Sequence, residues 1–446
     1  MRKISLLLIV AIITFVSCKR NDIENLKPIS ISLNVNLDPS ISAYNFPLKN
    51  AEIKFTNLTN GQITEGKTDA SGNLTFPSLS PGNYDIQAVL TISAADYSAT
   101  TGTLTLNDVV FNGLLKGQNI VQATNSLSIV LKTGKIGDWV FKQIYYSGSN
   151  TTNGATFRDQ FIEIYNNSNE ILYADSLCFA QVYGTATKTA AIDMSRGYYQ
   201  AISKQFDWTK SIGMSNSKAN TDYVYAKTLF MIPGTGKQYP VQPGSSIIIA
   251  ATAINHKSPY IGTDGKAVSV KDPSLTIDLS AANFEIYLGD QPGINPLASD
   301  IDNPAVANLA VLDRGGSRDL ILDATGRDAY VIFKTNENVT SWPRYPSPDQ
   351  ATITTTTDLY YQIPSKYIFD GVEIQPPLTT NQIPKKLEPT VDAGFKFASK
   401  GQYSSQSLIR KTAKTVNGRR ILQDTNNAAN DFDELDIPDV TRTIFK

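Results

Sequence analysis

Apolar and polar residues alternate near the start of the chain, and this period of two constrains the fold more than any other feature. Ile29, Ile31, Leu33, Val35 and Leu37 are separated by single polar residues. Because successive side chains of an extended strand point to opposite faces, the run predicts a half-buried β-strand. No stretch keeps a 3.6-residue apolar period long enough to predict a sizeable helix. We therefore expect an all-β protein.

Turn signals between short apolar runs support the same fold class. Asp69–Gly72 and the pair Pro81-Gly82 fit tight turns, and Asn166–Asn169 joins two β-rich runs within Asp159–Gln181. The chain contains 21 Tyr and 18 Phe, and only 18% of its residues are charged, which suits short strands with polar turns. A length of 446 residues predicts two or three domains rather than one small core.

The overall charge argues against a nucleic-acid partner. Forty Lys and Arg residues stand against 41 Asp and Glu residues, which leaves a formal net charge of −1. A broadly basic surface that binds nucleic acid is therefore not expected.

The N-terminus has the organisation of an export signal. Arg2-Lys3 precedes the apolar run Ile4–Val16, which is too short to span a bilayer and ends at a small residue before Cys18. We predict a signal peptide over residues 1–17 and a polar tether over 18–27. Phe15-Val16-Ser17-Cys18 resembles the lipobox of bacterial lipoproteins, which implies lipidation of Cys18 and attachment to the outer membrane through that lipid. Which face of that membrane it occupies stays open, and the alternative is a secretory signal with an incidental cysteine.

Residues 28–132 carry a first resemblance. The segments TDASGNLTF and LSPGNYDIQA resemble the transthyretin-like or carboxypeptidase-regulatory β-sandwich modules of exported proteins. The resemblance implies a spacer rather than an active site. Asp69 and Asn73 are read as turn residues in preference to calcium ligands. Residues 133–138 are predicted to be a linker.

Residues 139–446 carry a second resemblance. The segments DQFIEIYNNSNEILYADSLCF, VQPGSSIIIA and SSQSLIRKTAKTVNGRRILQDTNNAANDF resemble the start, middle and end of a lamin-tail domain. That resemblance implies an immunoglobulin-like β-sandwich whose last segment returns beside its first, so that Leu408 and Ile409 lie near Phe161–Tyr165. The order of the whole chain resembles a Bacteroidota lipoprotein family with a domain of unknown function, which lends no catalytic residues.

Two long segments, about 184–240 and 340–403, fit the lamin-tail pattern least. We expect two immunoglobulin-like sandwiches, the second enlarged by these loop insertions. Loops on a rigid scaffold often carry binding surfaces, and aromatic side chains are concentrated in these two. The predicted binding residues are Trp208, Tyr223, Tyr225, Trp342 and Tyr345.

Residues with catalytic or ligand-binding chemistry are sparse. His256 is the sole histidine, which excludes triads or metal sites that need several imidazoles, and we expect it to be solvated. Cys178 lies in an apolar strand and is expected to be a buried, inert thiol. PGTGK at 233–237 indicates a turn rather than a phosphate loop. The sequence therefore assigns no catalytic residue, no metal ligand and no cofactor.

Two further segments leave alternatives open. The acidic run Asp431–Asp436 is expected to be a solvated tail in preference to a calcium site. Asp175-Ser176-Leu177 resembles the short O-glycosylation signal of Bacteroidota exported proteins, which would modify Ser176, and the alternative is an ordinary polar residue in a strand.

These observations favour a non-catalytic, membrane-anchored envelope lipoprotein that binds a glycan or a protein. One alternative is an accessory lipoprotein of an outer-membrane uptake system. A third hypothesis, less favoured, is an exported hydrolase or nuclease, since lamin-tail modules accompany such enzymes.

Overall fold

The computed structural model describes residues 27–446 except 40, 102–104, 106–107, 122–125, 134–137 and 417. Of residue 43 it describes the backbone only. The predicted signal peptide, Cys18 and the tether as far as residue 26 lie outside the described residues. Residues 134–137 of the predicted linker also lie outside them.

The alternating run begins the first of two β-sandwiches. Its strands are β1 (Ile29–Leu37), β2 (Glu52–Asn57), β3 (Ile63–Lys67), β4 (Asn73–Leu79), β5 (Gly82–Ile92), β6 (Val109–Ile120) and β7 (Ser126–Leu131), with helix α1 (Ala94–Thr101) between β5 and β6. One sheet is ordered β4-β1-β7 and the other β3-β2-β5-β6. Ile31, Leu33 and Val35 are buried in the core between them, as the alternation predicted.

The turn before β4 shows why the Asp69 motif is structural. The carboxylate of Asp69 accepts hydrogen bonds from the backbone N–H groups of Ser71 at 2.8 Å and Asn73 at 2.9 Å. Gly72 has a φ of 78°, and a Cβ there would lie 2.7 Å from the carbonyl oxygen of Val35. Glycine is therefore required at this turn, which confirms the turn interpretation of Asp69.

The second sandwich contains the rest of the described chain. Its strands are β8 (Trp139–Tyr145), β9 (Phe161–Asn166), β10 (Leu172–Tyr173), β11 (Cys178–Val182), β12 (Tyr223–Met231), β13 (Pro240–Val241), β14 (Ser246–Ala250), β15 (Tyr260–Ile261), β16 (Ala267–Val268), β17 (Phe284–Glu285), β18 (Ala307–Asn308), β19 (Ala310–Asp313), β20 (Ala329–Phe333), β21 (Arg344–Tyr345), β22 (Tyr360–Pro364), β23 (Ile368–Glu373), β24 (Ser407–Arg410), β25 (Thr412–Val416), β26 (Arg419–Leu422) and β27 (Phe432–Leu435). Helix α2 (Ala428–Asp431) precedes β27. Short 3-10 turns lie at Ser42–Tyr44, Thr189–Ala191, Met194–Arg196, Trp208–Lys210, Pro273–Leu275, Val339–Ser341, Ser365–Tyr367 and Thr379–Asn381.

Two large sheets face each other in the second sandwich. One is ordered β18-β17-β14-β9-β8-β24-β27, and the other is ordered β21-β22-β12-β11-β20-β23, with β19 also paired to β12. Phe141 and Ile164 of the first sheet share one apolar core with Phe179 and Ile332 of the second. The expected all-β fold is confirmed. The two sandwiches have separate cores and touch each other, for example where Asn112 Nδ2 donates to the carbonyl of Thr425 at 3.0 Å.

The two insertion segments are not loops alone. β12, which lies within 184–240, pairs with β11 and β22 in the interior of a sheet, and 340–403 supplies β21, β22 and β23. Val224, Ala226 and Leu229 of β12 are buried. Burial on both faces removes the strict alternation that sequence reasoning uses to recognise a strand.

The closing segment returns to the start of the second sandwich, as expected, but at a different strand. Leu408 pairs with Ile144 and Ile409 with Gln143, both in β8. The strand Phe161–Asn166 is the neighbour of β8 on its other side. Leu408 and Ile409 therefore lie in the same sheet as Phe161–Tyr165, one strand away, with β8 between them, and Leu408 shares an apolar core with Ile162 and Ile164. Among the described residues, no helix is both long and apolar enough to cross a bilayer.

Candidate functional site: a surface lined by tyrosines

The segments 184–240 and 340–403 meet on one side of the second sandwich. Ser211 Oγ donates to the carbonyl of Pro346 at 2.7 Å, and Gln205 Nε2 donates to the carbonyl of Pro384 at 3.0 Å. The backbone N–H of Thr189 donates to the carbonyl of Gln382 at 2.9 Å. Segments separated by well over a hundred positions thus form one continuous face.

A stacked pair of buried rings forms the base of this face. Trp208 and Tyr225 stack with centroids 3.4 Å apart and planes 9° apart, and their exposed fractions are 4% and 1%. Tyr225 Oη donates to the carbonyl of Ala219 at 3.0 Å and accepts from Gln362 Nε2 at 3.0 Å. Burial raises the pKa of Tyr225, so this phenol stays neutral. The base is rigid because packing and hydrogen bonds both hold it.

Half-buried tyrosines lie above and beside this base. We call Tyr183, Tyr198, Tyr199, Tyr345 and Tyr360 the tyrosine surface. The ring centroids of Tyr183 and Tyr360 are 3.7 Å apart, and these rings stack. The ring centroids of Tyr198 and Tyr199 are 4.7 Å apart. Tyr345 pairs with Tyr360 across β21 and β22. Tyrosine combines a large apolar ring with a hydroxyl group, which suits contact with a partner.

Two phenol groups of this surface, those of Tyr360 and Tyr199, have a raised pKa and stay neutral at physiological pH. Burial, followed by the neighbouring Tyr183, raises the pKa of Tyr360. Burial, followed by Tyr198, raises the pKa of Tyr199. Arg196 Nη1 donates to Tyr198 Oη at 3.2 Å, which adds a positive group at the edge. The surface can therefore both stack on a partner and donate hydrogen bonds to it.

The shape of the surface is shallow. The cavity beneath it, lined by Tyr183, Gln205 and Trp208 among others, has a volume of only about 20 Å³. Small-molecule sites are usually clefts of ~300–1,000 Å³. The geometry therefore suits contact with an extended partner better than enclosure of a small ligand.

The structure places the five predicted binding residues in three environments. Trp208 and Tyr225 are buried in the base, so their ring faces are not presented to solvent. Tyr223 and Tyr345 are half-buried and pack against that base. Trp342 lies elsewhere: its ring centroid is 5.6 Å from that of Phe333, and its Nε1 donates to Glu337 Oε2 at 2.8 Å.

Sequence reasoning did not select Tyr183 and Tyr360, which contribute the stacked pair of the surface. Tyr183 lies one residue before the first insertion, at the end of β11. Tyr360 is one of many aromatic residues in the second insertion, and no local sequence pattern distinguishes it from the others. Their pairing depends on the tertiary contact between β11, β12 and β22, which no local signal encodes.

A second concavity lies between the two sandwiches. It has a volume of about 600 Å³ and is lined by Asp38 and Lys132 of the first sandwich and by Tyr223, Lys366 and Asp370 of the second, among others. Asp370 is already bonded to Arg410 and to the backbone N–H of Phe141. This carboxylate therefore has a structural role and is not a free group of the cleft.

His256 is buried rather than solvated. It is 2% exposed, and its Nε2 lies 3.0 Å from the carbonyl oxygen of Thr252. Burial lowers its pKa to about 4, so the imidazole is neutral at physiological pH. The expectation of a solvated ring was wrong because the loop around it folds back onto the second sandwich, where Ala253 is part of an apolar cluster.

Cys178 is buried, and burial raises the pKa of its thiol to about 12. A thiolate is the reactive form, so this thiol is inert in the folded protein. The prediction that Cys178 is buried is confirmed.

The PGTGK segment forms a turn around Asp175. The buried carboxylate of Asp175 accepts from the backbone N–H groups of Gly236 at 2.9 Å and of Gln238 and Tyr239 at 2.8 Å. Burial acts to raise the pKa of Asp175, but these hydrogen bonds lower it overall. The turn interpretation of PGTGK is confirmed.

Ser176 is half-buried with a φ of 60°, in a turn rather than in a strand.

The acidic run Asp431–Asp436 is not a solvated tail. Phe432–Leu435 is strand β27, paired to β24, and Asp431 is buried beside Arg410. The expectation was wrong because the acidic residues hide the apolar pattern of a strand in which Phe432 and Leu435 are buried.

Within the described part of the chain, no three or more His, Cys, Asp or Glu side chains converge as a metal site.

The structure is thus that of an all-β protein of two sandwiches, the second of which has a shallow face lined by aromatic side chains. Residues 242–439 match a family described as "Protein of unknown function (DUF4876)". No curated protein matches the chain.

Solved structures extend the comparison. A DUF4876 family protein from Bacteroides thetaiotaomicron VPI-5482 is 24% identical, with 94% of this chain and 98% of that chain covered and a TM-score of 0.53. This similarity supports the fold over nearly the whole chain. A DUF3823 family protein from Bacteroides uniformis ATCC 8492 is 12% identical over 50% of this chain and 99% of that chain, with a TM-score of 0.16. A candidate adhesin from Bacteroides ovatus ATCC 8483 is 8% identical, with 79% of this chain and 89% of that chain covered and a TM-score of 0.19. The last two TM-scores are too low to support any conclusion.

Proposed function

We propose that this protein is a membrane-anchored envelope lipoprotein that binds a protein or glycan partner and catalyses no reaction. The observation that carries the proposal is the tyrosine surface, where two separate insertions assemble half-buried rings over the rigid Trp208–Tyr225 base. A preformed surface binds with a smaller ordering cost than a mobile one.

The order of the modules supports this role. The lipid on Cys18 is the membrane anchor, in the outer membrane, and the first sandwich is a transthyretin-like spacer. The second sandwich is a lamin-tail-like head that carries the tyrosine surface away from the lipid. Separate cores in the two sandwiches support this division.

The composition of the surface supports a macromolecular partner. The segment that carries Tyr198, Tyr199 and Trp208 is also rich in Ser, Asn and Gly. Antibody paratopes share this combination, in which rigid rings supply contact area and small polar residues adapt to the partner. The shallow shape supports a protein or a glycan chain rather than a small ligand.

The titratable groups support a non-catalytic role over a hydrolase or nuclease. Asp159 is buried, and burial raises its pKa to about 6, but it is bonded to Thr276 Oγ1 at 2.7 Å and to Tyr145 Oη at 3.2 Å. Asp370 is similarly engaged by Arg410. An accessory role beside an outer-membrane transporter remains compatible with the same surface, with the transporter as the protein partner.

Ser176 is proposed as the site of O-glycosylation. Its half-buried position in a turn at the surface supports access by a modifying enzyme. Mass spectrometry of the peptide that contains Ser176, in the native protein and in Ser176→Ala, tests this. A glycan mass that is absent only from the variant is expected, and an unmodified native peptide would contradict it.

Partner capture from detergent-solubilised envelopes tests the binding role. The native protein and the double variant Tyr198→Ser/Tyr199→Ser serve as baits, with a glycan array probed in parallel. We expect a protein or glycan that the native bait binds and the double variant loses. Equal capture by both baits would show that the tyrosine surface is not the binding site.

The anchor is tested separately with Cys18→Ser. Native protein should partition into the detergent phase of Triton X-114, and the variant should move to the aqueous phase or stay uncleaved. A Cys18→Ser protein that stays with carbonate-washed membranes would contradict the lipid anchor.

A further inference from the structure

The cleft between the two sandwiches has the size and the position of a small-molecule site. Its volume of about 600 Å³ lies within the ~300–1,000 Å³ range of such sites, which often form where domains meet. The first sandwich contributes the segments that follow β1 and β7. The second contributes the start of β12, the connection from β22 into β23, and the loops at residues 390–391 and 426. Residues far apart in sequence thus converge on one cavity.

Three side chains that line this cleft have polar groups that the protein leaves unpartnered. Among the described residues, none forms a hydrogen bond with the amide of Asn426, the hydroxyl of Thr390 or the hydroxyl of Tyr223. None of these groups is sealed off from solvent. Asn426 is nevertheless only 9% exposed. A polar group that is largely removed from water and lacks a partner is costly, and a ligand with hydrogen-bonding groups offsets that cost.

The backbone that carries the Asn426 amide is held from two sides. The carbonyl of Asn426 accepts from the N–H of Ala393 at 2.6 Å, and the carbonyl of the preceding Thr425 accepts from Nδ2 of Asn112, in the first sandwich, at 3.0 Å. Asn426 has a φ of 50°, in the left-handed region. Non-glycine residues adopt this region at an energetic cost, and such residues cluster at ligand sites. The amide is therefore positioned before any ligand arrives.

The charged groups of the cleft balance one another. They are Asp38, Asp222, Asp370, Lys132 and Lys366. Lys132 Nζ lies 3.8 Å from Asp38 Oδ2, and Lys218 Nζ lies 3.6 Å from Asp222 Oδ2. The ion pair with Arg410 engages Asp370. A cleft with no excess of either sign does not favour a phosphorylated or polyanionic ligand.

We propose that this cleft binds a short neutral oligosaccharide. A sugar ring presents apolar C–H groups, which pack on an aromatic ring such as that of Tyr223. Its hydroxyl groups both donate and accept, and so do the amide of Asn426 and the hydroxyl of Thr390. The cleft is a different site from the tyrosine surface, and its occupancy does not depend on the partner of that surface.

Saturation-transfer NMR of the full chain tests the ligand class. The neutral probes are maltotriose, cellotriose and mannotriose at millimolar concentration, and trigalacturonate is the charged counterpart. We expect at least one neutral trisaccharide to bind, and trigalacturonate to bind more weakly than it does. Absence of binding by all three neutral probes, or stronger binding of trigalacturonate, would overturn the proposal.

The double variant Asn426→Gly/Thr390→Ala locates the sugar. Glycine removes the amide and tolerates the left-handed backbone, and alanine removes one hydroxyl, so the variant should fold with an unchanged melting temperature. Loss of two or three hydrogen bonds should weaken binding of the trisaccharide at least about tenfold. Asn50→Gly is the matched control, because Asn50 is an exposed asparagine with a φ of 66° outside the cleft lining. Native-like binding by the double variant would overturn the proposal.

The variant Tyr198→Ser/Tyr199→Ser separates the cleft from the tyrosine surface. It should bind the trisaccharide as the native protein does, because neither residue lines the cleft. If this variant loses the trisaccharide and Asn426→Gly/Thr390→Ala keeps it, the sugar lies on the tyrosine surface and the proposal for the cleft is wrong.

Discussion

Arg410 forms an ion pair with Asp370, and both side chains are fully enclosed by the second sandwich. Arg410 belongs to β24 and Asp370 to β23, so the pair joins the two facing sheets. The same guanidinium donates to the carbonyls of Phe141 at 2.7 Å and Gln423 at 2.9 Å. It also lies 4.6 Å above the ring of Phe432. One side chain thus connects the start, the middle and the end of the second sandwich.

Replacement of Arg410 should be severely destabilising. Arg410→Met removes the cation and leaves Asp370 buried without its partner, so we expect a loss of about 3–5 kcal/mol in the free energy of unfolding. Lys67→Met is the matched control, because the Lys67–Glu52 pair is 2.9 Å long but exposed. That change should cost less than about 1 kcal/mol. Urea denaturation of both variants measures the difference, and equal losses would contradict the role assigned to Arg410.

Truncation after residue 400 should unfold the second sandwich and spare the first. The cut removes β24 to β27, including the strand that pairs with β8 and the Arg410 network. The core of the first sandwich contains only residues 31–131. Limited proteolysis should leave a protected fragment of about this length, with its own cooperative thermal transition. A truncated chain that protects residues 139–400 instead would contradict the account.

His256 should make stability depend on pH. Its pKa is lowered by burial to about 4, below the unfolded value near 6.5, so the unfolded state binds the proton more tightly. The stabilisation is therefore complete above about pH 6.5 and is lost as the pH falls towards 4. The full loss corresponds to roughly 3 kcal/mol.

The variant His256→Asn isolates this effect. Buried acids with raised pKa values, such as Asp159, act with the opposite sign but are present in both proteins, so they cancel in the difference. We expect the native protein to lose more stability than the variant between pH 7.5 and 4. Equal pH slopes would show that His256 does not titrate differently on unfolding.

Strands with one buried face could be predicted from the sequence, whereas strands buried on both faces or rich in charged residues could not. The alternation of Ile31, Leu33 and Val35 is a local signal of a strand with one buried face, and the structure has that strand. β12 was missed because Val224, Ala226 and Leu229 leave no simple alternation when both faces are buried. β27 was missed because Asp433 and Glu434 conceal the buried Phe432 and Leu435.

The candidate site was predictable only in part. The insertions and their aromatic content were visible in the sequence, and they led to Tyr223 and Tyr345. The division of the rings into a buried base and a half-exposed surface depends on long-range contacts such as Tyr183 on Tyr360.

The central claim is that the tyrosine surface binds the partner. The most direct measurement is the equilibrium affinity of the captured partner for the native protein and for Tyr198→Ser/Tyr199→Ser, with equal melting temperatures as a check on folding. Tyr44→Ser, at a 42% exposed tyrosine of the first sandwich, is the matched control. We expect the double variant to bind at least about tenfold more weakly, which corresponds to ~1.4 kcal/mol, and the control to bind like the native protein. An unchanged affinity in the double variant, or an equal loss in the control, would contradict the account.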